Sequence, residues 1–158
     1  MSQVLSDQSI GVRAFAALVK AHASTTRRLN AQLVVEHGLT INDYEVLLRL
    51  ARSPDRRLRR VDLAEQVLLT ASGITRLLDG LEQAGYVERG SCDSDRRVVY
   101  AVLTDAGLDK LNEAARSHLV QVETLFAERL VDDEQKRIAD LLVKLGDGGS
   151  GESCDPSA

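Results

Sequence analysis

Ser72, Thr75 and Arg76 fall on one face of the segment TASGITRLLDGLEQ, spaced i, i+3 and i+4, with Thr70 and Gly73 at its start. Two hydroxyls and a guanidinium in that arrangement offer directed hydrogen bonds and a cation on a face with almost nothing apolar. Ile74, Leu77, Leu78 and Leu81 form the opposite face, so that side can bury itself and leave the polar side free to touch something else. Further on, Arg96 and Arg97 follow Asp93 and Asp95 in GSCDSDRR, and Arg56, Arg57, Arg59 and Arg60 crowd RSPDRRLRR. The chemistry on offer is recognition of anions and polar edges, not bond making.

Catalytic patterns are missing. The sequence has no G-x-S-x-G, P-loop or dinucleotide-binding glycine motif, and its carboxylates fall mostly on solvated helix faces. His22, His37 and His118 form no ligand-spaced pair, and Cys92 and Cys154 are far apart, so neither a metal, a cofactor nor a disulfide framework is expected. Five aromatic residues and no Trp argue against the stacking platforms that bind single-stranded nucleic acid. No run of about 18 apolar residues is present to span a bilayer, and the N-terminus lacks a secretory signal pattern. The expectation is a cytoplasmic, non-enzymatic protein with no membrane partner.

Net charge is −4, but it is unevenly spread. Arg49 to Leu103 holds ten Arg against eight Asp and Glu, whereas Thr104 to Ala158 holds six basic and twelve acidic residues. Affinity for a polyanion follows the charges that face it, not the sum over the molecule.

The elements that must position these residues are mainly helical. A long helix is predicted from Gln8 to Glu36, with Phe15, Leu18, Val19, His22, Leu29 and Leu33 near helical spacing and Gly38 ending it. Thr40-Ile-Asn-Asp starts a second helix with Tyr44, Leu47, Leu48 and Ala51 on one face, stopped by Ser53-Pro54. A very short strand is expected at Leu58-Arg59. Val61 to Val67 is a short helix with Leu63, Ala64 and Val67 inward, and a tight turn leads to Thr70 as N-cap of the next. That helix ends at Gly85. Tyr86 to Arg89 and VVYAVL then alternate as two strands around a turn. Helix-turn-helix followed by a hairpin is a winged helix. Thr104 caps a further long helix to about Leu130, with Leu108, Leu111, Ala115, Leu119, Val122 and Phe126 inward, and a last helix runs from Asp132 to Leu145.

The fold class is therefore mainly α with a small β-hairpin wing. Residues 1–39 form an N-terminal dimerisation helix, 40–103 the winged helix-turn-helix lobe, 104–146 the C-terminal dimerisation helices, and 147–158 a disordered Gly/Ser-rich tail. Apolar-striped helices longer than the small lobe can cover point to a homodimer.

RRVDLAEQVLLTASGITRLLDGLEQAGYVERGSCDSDRRVVYAVLTDAG resembles the MarR family of bacterial winged-helix transcription regulators. The matching pieces are LAEQV two turns ahead of SGITRLLDGLEQAGYVER, the Asp-x-Asp-Arg-Arg of the wing, and LTDAG at the start of the following helix. The resemblance implies a homodimer on a pseudo-palindromic operator in double-stranded DNA. The Ser72 to Gln83 face enters the major groove and the wing an adjacent minor groove. Thr70, Ser72 and Gly73 lie where helix N-terminal groups take a phosphate, while Thr75 and Arg76 reach base edges. Asp79 is placed to orient Arg76. In the wing, Arg96 and Arg97 suit a narrow minor groove, with Asp93 or Asp95 fixing one of them. Arg59 and Arg60, with Arg56 and Arg57, are supplementary phosphate contacts or a solvated loop.

The family implies a ligand-responsive repressor, released by a small anionic or phenolic ligand. His22 and Tyr44 are candidates for its pocket, although a His on an apolar stripe also serves as an ordinary core or interface residue. Cys92 at the wing is a candidate oxidant sensor or a plain exposed thiol. The rival reading is a winged-helix dimer that binds protein instead of specific DNA, which a hydrophobic wing would have favoured.

Overall fold

The computed structural model describes residues 9–91 and 98–146. The chain divides into two compact units, residues 1–120 and 121–158.

In the first unit, α1 (Ile10–His37) begins at Ser9, whose Oγ accepts from Val12 N–H at 3.4 Å, and ends where Gly38 turns left-handed at φ 67°. Helix α2 (Ile41–Arg52) opens with the expected capping box: Thr40 Oγ1 accepts from Asp43 N–H at 3.1 Å, and the Asp43 carboxylate accepts from Thr40 N–H at 2.8 Å. Asn30 Oδ1 accepts from Ile41 N–H at 3.0 Å, which ties α1 to the start of α2. The predicted inner face of α2 was too narrow. Val46, Leu47 and Leu50 are wholly buried and Tyr44 nearly so, whereas Leu48 and Ala51 are only half-buried. The buried arc is one broad face that reaches round to Val46 and Leu50, with Asn42, Arg49 and Arg52 exposed opposite it.

Pro54–Arg56 forms a 3-10 turn that feeds β1 (Arg57–Arg59), the short strand expected there. Helix α3 (Arg60–Gln66) buries Leu63 and Ala64, and Val67 at its C-cap is buried with them, as predicted. The turn to α4 (Ala71–Gln83) passes through Leu68 at φ 53°, and Leu69 N–H donates to Ala64 O at 3.0 Å. Gly85, at φ 77°, reverses the chain into β2 (Val87–Ser91), which pairs antiparallel with β3 (Val99–Leu103). β1 adds to the other side of β3, giving the order β1-β3-β2. The result is a winged helix, mainly α with a small antiparallel sheet.

Helix α5 (Asp105–Ala127) starts at Thr104, whose Oγ1 accepts from Gly107 N–H at 3.0 Å and donates to Gly85 O at 2.7 Å. That one hydroxyl joins the exit of α4 to the entry of α5. The core gathers Leu33, Leu39, the α2 residues, Leu63, Ile74, Leu81, Val87, Ala101, Leu103, Leu111 and Ala114. Leu111 lies inward as expected, but Leu119 is 56% exposed, while Gly107, Ala114 and Leu125 are buried residues that the predicted stripe omitted. At the N-terminal end of α1, Ile10, Phe15 and Val19 are also exposed.

In the second unit, α6 (Asp132–Leu145) begins where Glu134 accepts from Val131 N–H at 3.0 Å and ends at Gly146. Leu141, Leu142, Val143 and Leu145 are exposed along it. The tail segment expected to be disordered lies outside the described residues. No helix among those described is long and apolar enough to cross a membrane.

Candidate nucleic-acid interface

The start of α4 is built around Thr70. Its Oγ1 accepts from Gly73 N–H at 3.1 Å and lies 3.2 Å from Ser72 Oγ, and both residues are exposed. A Cβ at Gly73 would stand 3.1 Å from that same Thr70 Oγ1, so a side chain there would crowd the cap. Thr75 donates its hydroxyl to Ala71 O at 2.8 Å, which leaves its oxygen as an acceptor. Arg76 is exposed one turn above Ser72 and has no carboxylate partner among the described residues. An unspent guanidinium, hydroxyl oxygens with acceptor capacity left and a capped helix N-terminus thus share one face.

Asp79 does not orient Arg76. It accepts instead from Arg89 Nη2 at 2.8 Å, while Glu82 accepts from Arg89 Nε at 2.9 Å. The pleat explains the choice: Val87 is buried, and Arg89, two residues on, projects from the same side of β2. Asp95, Arg96 and Arg97, with Cys92 and Asp93, lie outside the described residues.

Most of the basic loop is already partnered. Arg56 donates to Asp105 at 2.9 Å, and the Arg57 guanidinium lies 4.0 Å from the centre of the Tyr100 ring. Arg59 grips Asp62 through both Nε and Nη2, at 2.6 and 2.7 Å, and those hydrogen bonds hold its pKa above the ordinary arginine value. Arg60, half-buried at the start of α3, has no carboxylate partner among the described residues and lines a crevice with Thr75, Leu78 and Tyr100.

The two ligand-pocket candidates differ in burial. His22 is exposed on α1, whereas Tyr44 is buried with its ring 4.6 Å from that of His118. Burial pushes the Tyr44 pKa up and the His118 pKa down. His37 Nε2 lies 2.6 Å from Ser117 Oγ, linking the end of α1 to α5.

A family model described as MarR family matches residues 37–98, the span from the end of α1 to the wing. The HTH-type transcriptional repressor YetL of Bacillus subtilis (strain 168) is 32% identical over 120 residues, covering 72% of this chain and 69% of that protein. The chain belongs to the MarR family. Another relative, the HTH-type transcriptional regulator MhqR of the same organism, is 27% identical across 85% of this chain and 90% of its own. Among solved structures, Sco3205, a MarR family transcriptional regulator from Streptomyces coelicolor determined in complex with DNA, superposes with a TM-score of 0.79. It is 28% identical and covers 95% of each chain.

Three residues of this MarR-family regulator escaped the sequence reading. Arg89 looked like any strand residue, since its partners lie seven and ten positions earlier on a different element. His118 and His37 carried no motif. Each acquires its role from a packing angle between elements, which spacing along the chain does not encode.

Proposed function

We propose that this MarR-family regulator binds a pseudo-palindromic operator in double-stranded DNA as a homodimer and acts as a repressor. The observation that carries the reading is the Ser72–Thr75–Arg76 face, with Arg76 exposed and uncommitted beside a Thr70-capped helix start. Arg76 reads a base edge, guanine being the natural partner of a guanidinium fork. Thr70, Ser72 and the α4 N-terminus take a phosphate. Arg60 is the supplementary phosphate contact, Arg59 being held by Asp62. Arg96 and Arg97 serve the minor groove, with Asp93 or Asp95 fixing one of them. YetL, a named repressor, and Sco3205, a family member seen with DNA, support this reading. A second copy covers the exposed apolar residues of α1 and α6. A small anionic or phenolic ligand releases the operator, with Tyr44 lining its pocket beside His118 and with His22 at the dimer interface. The protein acts in the bacterial cytoplasm, where the DNA is.

Site selection from a random duplex library tests it. Enrichment of a palindrome bound about 10³-fold or more above scrambled DNA supports the reading. Weak, salt-sensitive binding without an enriched site would turn the assignment toward a protein-interaction module.

A further inference from the structure

Helix α4 carries one Arg, one Asp and one Glu, a net charge of −1 on the element offered to a polyanion. Asp79 lies on the same face as Ser72, Thr75 and Arg76, at i+7 from Ser72, and Glu82 follows three residues later. Helix electrostatics do not explain these acids, because carboxylates in the C-terminal half of a helix oppose its dipole. Their geometry with β2 does. One guanidinium, reaching across from the wing strand, bonds Asp79 at 2.8 Å and Glu82 at 2.9 Å through two different nitrogens. All three side chains remain between one-third and two-thirds exposed, at 46% for Asp79, 34% for Glu82 and 64% for Arg89. Exposed pairs of this kind add little to folding, so their effect belongs to what the surface meets.

We propose that Arg89 is a positioning residue of the DNA interface: it masks the two carboxylates of α4 that would face the phosphates, and in doing so fixes the wing against that helix. Arg89 therefore acts through Asp79 and Glu82 and does not itself contact DNA. This rests on the DNA reading above. Together, Arg76 and Arg89 bring the α4 face to zero net charge, so Arg76 remains the one uncommitted cation on the helix. The bidentate reach also explains why an Arg stands at this position, since a Lys ammonium lacks the fork that spans two carboxylates one turn apart.

The test compares the full-length protein, Arg89→Met, Arg89→Lys, and the triple variant Arg89→Met/Asp79→Asn/Glu82→Gln on the selected duplex, by fluorescence anisotropy across a salt series. Arg89→Met is expected to bind about tenfold more weakly at near-physiological salt. The gap to the unmodified protein should narrow as salt rises, because the repulsion between unmasked carboxylates and phosphates is screened. The triple variant should return to within about threefold, since removing both acids removes the need for the mask. Arg89→Lys, which keeps the charge and one bond, should fall between the unmodified protein and Arg89→Met. A triple variant as weak as Arg89→Met, with a slope reduced by about one unit, would make Arg89 a phosphate ligand and overturn the proposal. Unchanged affinity in Arg89→Met would overturn it too. Failure of the unmodified protein to select any site would sink the DNA reading and the mask with it.

Discussion

Gly107 packs against Tyr86 so closely that a Cβ on Gly107 would stand 2.1 Å from the Tyr86 carbonyl oxygen and 2.8 Å from Leu103 Cδ1. The same carbonyl accepts from Thr104 N–H at 3.1 Å, so the backbone there cannot retreat without breaking the junction between α4 and α5. Gly107→Ala is expected to cost about 3 kcal/mol, at the upper end of overpacking effects, read as a lower urea midpoint. A loss smaller than about 0.5 kcal/mol would mean that the start of α5 shifts freely.

Acid sensitivity should come from His118. Its folded pKa lies below the ordinary 6.5 because burial beside Tyr44 disfavours the charged ring. The unfolded chain therefore binds more protons between the two values, and stability falls as pH drops below 6.5 until the folded pKa is passed. His118→Phe should flatten that part of the stability profile. Parallel urea titrations at pH 7.5 and 5.5 check this, and an equal slope in both proteins would remove His118 as the cause.

The two threonine caps should separate folding from binding. Thr40→Ala and Thr70→Ala each lose a side-chain acceptor for an N-terminal amide, at about 1 kcal/mol of stability. Only Thr70→Ala should also weaken DNA binding, by more than its stability loss explains. Equal affinities for the two variants would take Thr70 out of the interface.

Among the arginines, the ion pairs predict an order. Arg76→Ala should cost about 1–3 kcal/mol on the selected site and relax the preference at one base pair. Arg60→Ala should weaken selected and scrambled DNA alike and lower the salt slope by about one unit. Arg59→Ala, whose guanidinium is already held by Asp62, should change either quantity least. A larger effect at Arg59 than at Arg60, measured by anisotropy, would show that the Asp62 pair opens on binding.

Where signals are local, the sequence was legible. The Thr40 and Thr70 caps, the Gly38 and Gly85 terminators, the Pro54 stop and the stretch from Leu63 to Val67 are each set by residues within one turn of each other. The family resemblance rested on those same pieces. Burial that depends on two or more neighbouring elements was not legible: Val46 and Leu50 on α2 and Ala114 on α5 are wholly buried outside the expected stripes. The site divided in the same way. Ser72, Thr75 and Arg76 could be placed on one face from spacing alone, but a reading along the chain gave Asp79 to Arg76, its helical neighbour. In the folded lobe Asp79 belongs to Arg89, ten residues away.

The hydrogen bond between His37 and Ser117 spans 80 positions of the chain. Its consequence lies in time. During synthesis α1 and the whole helix-turn-helix with its hairpin are made before Ser117 exists. The core of the lobe stays incomplete until Leu111 and Ala114 of α5 are made, and α1 gains its anchor on α5 only with them, late in translation.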